Sequence, residues 1–157
     1  MSQAGTQADV PERLWRLVDA NLNRAHEGLR VCEDVARFGL AWQPSYRRLR
    51  AIRHGLDVQV RRAGIRAAQL VRARDSRRDP GRRARSPSVT SLEQLFVINL
   101  QRTKEALRAL EEASRIFAPD ATPGFQRLRF RTYDVERTLV LRLAAVRDRG
   151  SLRRRRA

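Results

Sequence analysis

Apolar residues recur at three- and four-residue intervals along most of the chain and no stretch alternates with a period of two, which predicts an all-helical protein. The clearest stretch is Leu17 to Phe38. There Leu17, Val18, Leu22, Ala25, Leu29 and Cys32 gather on one helix face, and Glu27, Arg30, Glu33, Asp34 and Arg37 fall in an arc of roughly 120° on the other. Asp9-Val-Pro-Glu12 has the form of a capping box that opens this helix, which is expected to run to about Phe38. Gly39 and Pro44 mark a turn, and Ser45 is placed to cap a second helix that ends at Ala63, ahead of Gly64. Ile65 to Arg72 is periodic enough for a short third helix. From Arg74 to Ser88 the periodicity stops, so an arginine-rich loop is expected. Thr90-Ser-Leu-Glu93 reads as another capping box, opening a helix to about Phe117, and Thr122-Pro123 starts a last helix to about Arg147.

The first helix occurs twice. Leu17 to Phe38 aligns without a gap on Leu95 to Ile116, 78 positions further on. Asn21/Asn99, Arg24/Arg102, Glu27/Glu105, Arg30/Arg108, Glu33/Glu111 and Arg37/Arg115 are identical pairs. A shared helical period returns leucines by coincidence but not asparagine, arginine and glutamate in register, so this is an internal duplication. A weaker echo links Tyr46–Arg50 with Phe125–Arg129. Each half is then a helical hairpin, and the two are expected to pack as an antiparallel four-helix bundle with a short extra helix and a basic loop. The expected organisation is a disordered start (1–8), one helical domain (9–148) and a basic tail (149–157). The repeat halves are about 10–72 and 90–147, joined by the loop 73–89.

Asn21 and Asn99 sit on the apolar faces, where each either fixes helix register or lines a polar cleft between the copies. The charged arcs are either solvated faces of weak ion pairs or a set of phosphate-binding groups. The net charge of +17 over 157 residues, nearly all from arginine with Lys104 the one lysine, points to an anionic partner, whether nucleic acid or a phosphorylated metabolite. A genome-wide arginine habit gives the same bias. Cys32 is alone, so no disulfide framework is expected, and His26 and His54 are too few for a zinc site or a serine triad. Neither G-x-x-x-x-G-K-[ST] nor a strand followed by G-x-G-x-x-G is present. No run of roughly 18 apolar residues and no signal-peptide pattern occurs, so no membrane partner and a cytoplasmic location are expected.

Asn-x-Asn-Arg-Ala-x-Glu-Gly-Leu-Arg-Val-x-Glu-Asp at Asn21 to Asp34, the loop residues Arg74, Asp75, Asp79 and Gly81, and Asn-Leu-x-Arg-x-x-Glu-Ala-Leu-Arg-x-Leu-Glu-Glu at Asn99 to Glu112 form a recognisable set. Together they resemble the non-canonical, all-helical hydroxymethylpyrimidine phosphate kinases of thiamine biosynthesis, which are often fused to thiamine-phosphate synthase. The resemblance covers about Arg13 to Val146. It puts weight on Asn21, Arg24, Glu27, Arg30 and Glu33, on their counterparts in the second copy with Glu112, and on Arg74, Asp75 and Asp79; His54 stands where the family often has a histidine. The chain ends before any synthase barrel could begin, which leaves a separate thiamine-phosphate synthase as a candidate partner and a homo-oligomer open.

The implied reaction moves the γ-phosphoryl group of ATP, with Mg²⁺, onto the phosphate of 4-amino-5-hydroxymethyl-2-methylpyrimidine phosphate. The nucleophile is a phosphate oxygen already ionised at neutral pH, so positioning and charge neutralisation carry the catalysis. By chemical type, Arg30, Arg108 and Glu105 are the candidate catalytic residues, and Asn21, Arg24, Asn99, Arg102 and Arg74 the candidates for holding substrate and phosphate. Glu111 and Glu112 are the candidates for Mg²⁺. Trp42, Phe125 and Tyr133 could stack on a pyrimidine, although core packing suits them better. The competing classes are a basic helical module that binds nucleic acid and a non-catalytic partner of the synthase.

Overall fold

A computed structural model describes residues 10–154, with side chains described for 10–145; the segment 1–8, and Asp9 of the expected first capping box, lie outside it. Five helices account for the described residues, which contain no strand: α1 (Glu12–Asp34), α2 (Gln43–Arg62), α3 (Ala67–Ala73), α4 (Leu92–Phe117) and α5 (Thr122–Arg154). A π-helical turn, Val35–Gly39, closes α1, and short 3₁₀ turns at Pro80–Arg83 and Pro119–Ala121 punctuate the loops.

The helices touch in a ring, α1 on α2, α2 on α5, α5 on α4 and α4 on α1, with α3 against α1. Cross-helix contacts give each direction. Trp15 meets Phe117 with ring centroids 4.8 Å apart, Gly28 meets Thr103, and the Cys32 thiol donates to the Phe96 carbonyl at 3.5 Å, so α4 runs backwards along α1. His26 to Asp57 (2.8 Å) and Glu33 to Arg53 (2.6 Å) show the same for α1 and α2. Lys104 to Glu136 (2.6 Å) and Glu111 to Arg129 (2.7 Å) do so for α4 and α5. The core is the shared apolar stripe of the four long helices, with Leu29, Leu49, Ile52, Leu56, Phe96, Leu107 and Phe125 at 2% exposure or less.

The duplication survives in these contacts. His26–Asp57 and Lys104–Glu136 occupy corresponding positions, a cation from the first helix of each hairpin on a carboxylate from the second. Glu33 and Glu111 also correspond, and each is buried and gripped by an arginine of its own hairpin's second helix. The arginines do not correspond: Arg129 is the counterpart of Arg50, one helical turn from Arg53. Glu33 and Glu111 thus fit neither a solvated face nor an open phosphate-binding arc. Their helix faces turn toward α2 and α5, and each carboxylate is dry because a guanidinium meets it there.

Several boundaries move for local reasons. Glu12 begins α1 behind Pro11, with no side-chain cap; α2 begins at Gln43, so Ser45 lies buried in its first turn instead of capping it. The capping box before α4 is displaced by one residue. Ser91 Oγ accepts from Gln94 N at 3.1 Å, and Gln94 Oε1 accepts from Thr90 N at 3.0 Å. Gly64, at φ 68°, lets the chain break after α2 and fold α3 back on α1. Its counterpart 79 positions later is Leu143, which cannot take that conformation cheaply, and α5 continues straight to Arg154. The helix therefore runs into the stretch expected to be a basic tail.

Candidate functional site

The repeated motif meets itself at the α1–α4 seam. Asn21, Arg24 and Gly28 are spaced i, i+3, i+7 and share one stripe of α1; Asn99, Arg102 and Ala106 repeat that stripe on α4. The helices approach very closely here. A β-carbon on Gly28 would run into Thr103 Oγ1 and lie 2.9 Å from the Asn99 carbonyl oxygen. Ala25, Thr103 and Ala106, all buried, complete this contact between small residues. Arg24 is one turn from the crossing and Arg102 sits beside Thr103 at the crossing itself. Both arginines are exposed, and neither forms an ion pair among the described residues. Asn21 is buried and Asn99 half-buried; each side-chain nitrogen donates to the carbonyl four residues back, Leu17 at 2.9 Å and Leu95 at 2.8 Å. Each side-chain oxygen is left without a donor from the described residues.

The remaining candidates divide into three groups. Arg108 donates to Glu111 at 2.8 Å and lies 2.7 Å from Glu112. Arg129 closes on Glu111 through Nε (2.7 Å) and Nη2 (3.3 Å), and Arg115 reaches Glu112 at 3.3 Å. Arg30, the counterpart of Arg108, lies 3.6 Å from Glu33, whose main partner is Arg53. The third group is the clasp between Arg74 and Asp19, two bonds of 2.7 Å, which ties the segment after α3 to α1. A cleft of about 430 Å³ opens there, lined by Arg13, Arg16, Asn23, Arg74 and Asp79 among others. Glu105 is exposed and accepts from Gln101 at 2.8 Å. Arg30 pairs with Glu33, which faces α2, and Arg108 with Glu111, which faces α5, so the motif's second arginines are engaged away from the α1–α4 crossing while Arg24 and Arg102 flank it.

Ion pairing sets the electrostatics. Hydrogen bonds to Glu33, Asp19 and Glu111 hold the guanidinium pKa values of Arg53, Arg74 and Arg129 respectively above the ordinary value. Glu111 fits Mg²⁺ poorly, since both of its oxygens already accept from guanidinium groups. Glu112 lies between Arg108 and Arg115, and no cluster of three His, Cys, Asp or Glu suited to a metal occurs among the described residues. Trp42 and Phe125 are core, with the Arg142 guanidinium 4.7 Å from the Trp42 ring centroid. Tyr133 is half-open, accepting from Arg129 at 3.2 Å beneath Lys104. Asp19, Arg53 and Arg129 went unnoticed in the sequence. The available signal was an acid at the edge of the apolar stripe, Asp19 four residues after Trp15 and Glu33 four residues after Leu29, because a buried carboxylate demands a cation.

No helix among the described residues is long and apolar enough to cross a membrane. No solved structure matches the chain significantly. Among curated proteins it is similar to a thiamine-phosphate synthase of Nostoc punctiforme, 33% identical over 134 residues, which covers 83% of this chain and 36% of that protein. A thiamine-phosphate synthase of Gloeobacter violaceus is 36% identical over 140 residues, 84% of this chain and 39% of that one. One of Rhodopirellula baltica is 35% identical over 138 residues, 86% and 36%. The chain spans less than half the length of these relatives. Residues 16–138, which hold both copies of the motif and the Asp19–Arg74 clasp, match the model of the ThiD2 family, and the chain belongs to that family.

Proposed function

We propose that the two hairpins close as an antiparallel four-helix bundle and that the chain is an ATP-dependent kinase acting in thiamine biosynthesis. It converts 4-amino-5-hydroxymethyl-2-methylpyrimidine phosphate to the diphosphate. The observation that carries this reading is the α1–α4 seam, where the duplicated Asn-x-x-Arg stripes meet and the arginines have no carboxylate partner. Free guanidinium forks, with an asparagine oxygen one turn before each arginine, suit a phosphorylated aminopyrimidine. The forks bind phosphate oxygens in pairs, and the amide oxygens accept from an exocyclic amine. Family membership and the relatives' name support the same pathway.

In this reading Arg24 and Arg102 seat the acceptor phosphate and neutralise the charge that spreads over the transferring group. Arg30 and Arg108, exposed at 63% and 51%, are the further arginines that can reach the nucleotide phosphates. Glu105, one turn after Arg102, orients the substrate. The acceptor oxygen is already ionised, so no side chain has to remove a proton. Arg74 serves by holding its loop on Asp19. Mg²⁺ belongs to the nucleotide, since both Glu111 oxygens already accept from guanidinium groups.

The test is incubation with Mg-ATP and the pyrimidine monophosphate, with the product detected by a thiamine-phosphate synthase added in excess. Formation of ADP and of thiamine phosphate is the expected result. Binding of the pyrimidine without ADP release would instead make the chain a non-catalytic partner of the synthase.

A further inference from the structure

Along the α2–α5 seam, across the bundle from Arg24 and Arg102, runs a groove of about 460 Å³. Arg48 comes from α2, and Arg131, Asp134, Arg137 and Thr138 from α5, over a floor of buried Ile52 and Val135. Arg48 Nη1 lies 3.4 Å from Thr138 Oγ1, whose own proton goes to the Asp134 carbonyl at 2.9 Å. The threonine therefore holds Arg48 at the rim. Arg131 and Arg137 are each three residues from Asp134, yet neither pairs with it or with any other carboxylate among the described residues. Three exposed guanidinium groups thus line one concave space against a single carboxylate, which leaves a positive potential there that favours an anion.

The duplication did not impose this charge. The counterparts of Arg131 and Arg137 in the first half, 79 positions earlier, are Ile52 and Val58. Val58 is exposed as Arg137 is, so the repeat accepts an apolar residue at that surface position, whereas Ile52 is buried and Arg131 is exposed. We propose that this groove is a second anion site that takes a phosphate-bearing small molecule. Guanidinium forks suit phosphate oxygens, and the volume lies in the range that receives one small ligand. The site is separate from the α1–α4 seam and does not depend on the kinase reading. Its occupant joins α2 to α5, so it stabilises the second helices of the two hairpins against each other.

The test is titration of the full ¹⁵N-labelled chain with inorganic pyrophosphate, following the arginine Nε–H resonances. Saturable shifts at Arg48, Arg131 and Arg137 are expected. Replacing both Arg131→Gln and Arg137→Gln should weaken that binding by about tenfold or more, because charge-assisted bonds are lost. Asp134→Asn should tighten it several-fold, a gain that misfolding does not mimic. Arg24→Gln with Arg102→Gln should leave these shifts unchanged, whether or not the kinase activity survives. The proposal is overturned if the groove resonances do not saturate, or if Asp134→Asn has no effect. It also falls if Arg61→Gln with Arg62→Gln, outside the groove, weakens binding equally, since net charge alone would then be the cause. Saturation by a short oligonucleotide but not by pyrophosphate counts equally against it.

Discussion

At the scale of single residues the identical glutamates of the motif part company. Glu111 is 1% exposed, with Arg129 and Arg108 on its oxygens, whereas Glu105 is exposed. Glu111→Gln leaves Arg129 without its charge partner, and breaking a buried pair from one side costs roughly 3–5 kcal/mol. Glu105→Gln should change stability by about 0.5 kcal/mol or less. Urea denaturation of the two variants separates these outcomes. Arg24→Ala and Arg102→Ala should leave stability near wild type and lower turnover on the order of 100-fold, through a lost contact with the transferring group. Wild-type turnover in both would return the seam to a solvated face. The Cys32 thiol is pushed up, chiefly by burial and further by Glu33, well above its ordinary 9.0. In the unfolded chain it ionises near 9.0 and in the fold it does not, so its contribution to stability is complete below that pH and is lost as pH rises above it. The alkaline decline of unfolding free energy should accordingly be shallower in Cys32→Ala.

At the scale of elements, the α1–α4 contact rests on the absence of a side chain. Gly28→Ala should gain helix propensity worth up to about 1 kcal/mol. The added carbon, however, meets Thr103 Oγ1 and a backbone oxygen, and the backbone cannot rotate away. Net destabilisation of about 1–3 kcal/mol is expected, as for overpacked cores, together with a loss of turnover as the stripes move apart. Pairing the change with Thr103→Ala removes one of the two obstructions and should recover part of the melting temperature; no recovery would mean that the carbonyl alone sets the limit. Gly64 governs a different element. An alanine at φ 68° is strained by about 1 kcal/mol, and the cost should appear as earlier proteolysis within 65–89, because α3 and the Asp19–Arg74 clasp hang on that turn.

For the molecule as a whole, the duplicated halves are alike in helices and unlike in what covers them. The first half carries α3 and its clasp; the second extends α5. Turnover should therefore respond unequally to Arg30→Ala and Arg108→Ala, though the two residues correspond. The pyrimidine monophosphate with Mg-ATP should raise the melting temperature, as a ligand that binds only the native state does. A chain of +17 also attracts DNA, and that attraction must fall steeply with salt. Stabilisation by short DNA with none from millimolar pyrimidine phosphate would transfer the function to nucleic-acid binding.

The helices and their duplication were legible in the linear order of residues, because a 3.6-residue period and an in-register motif are local properties. Asn21 to Asp34 and Asn99 to Glu112 named the helices that form the seam. The same order could not say which arginines would be free. Arg24 and Arg108 alike have a glutamate three residues further on, Glu27 and Glu111. Arg108 pairs with Glu111 and Glu112 inside its own helix, and Arg129 of α5 holds Glu111 in place; Arg24 pairs with no carboxylate among the described residues. Glu33 and Glu111 are the same case for burial. Their arcs look solvated until α2 and α5 bring Arg53 and Arg129 against them, since the direction a helix faces is set by its neighbours and not by its own sequence.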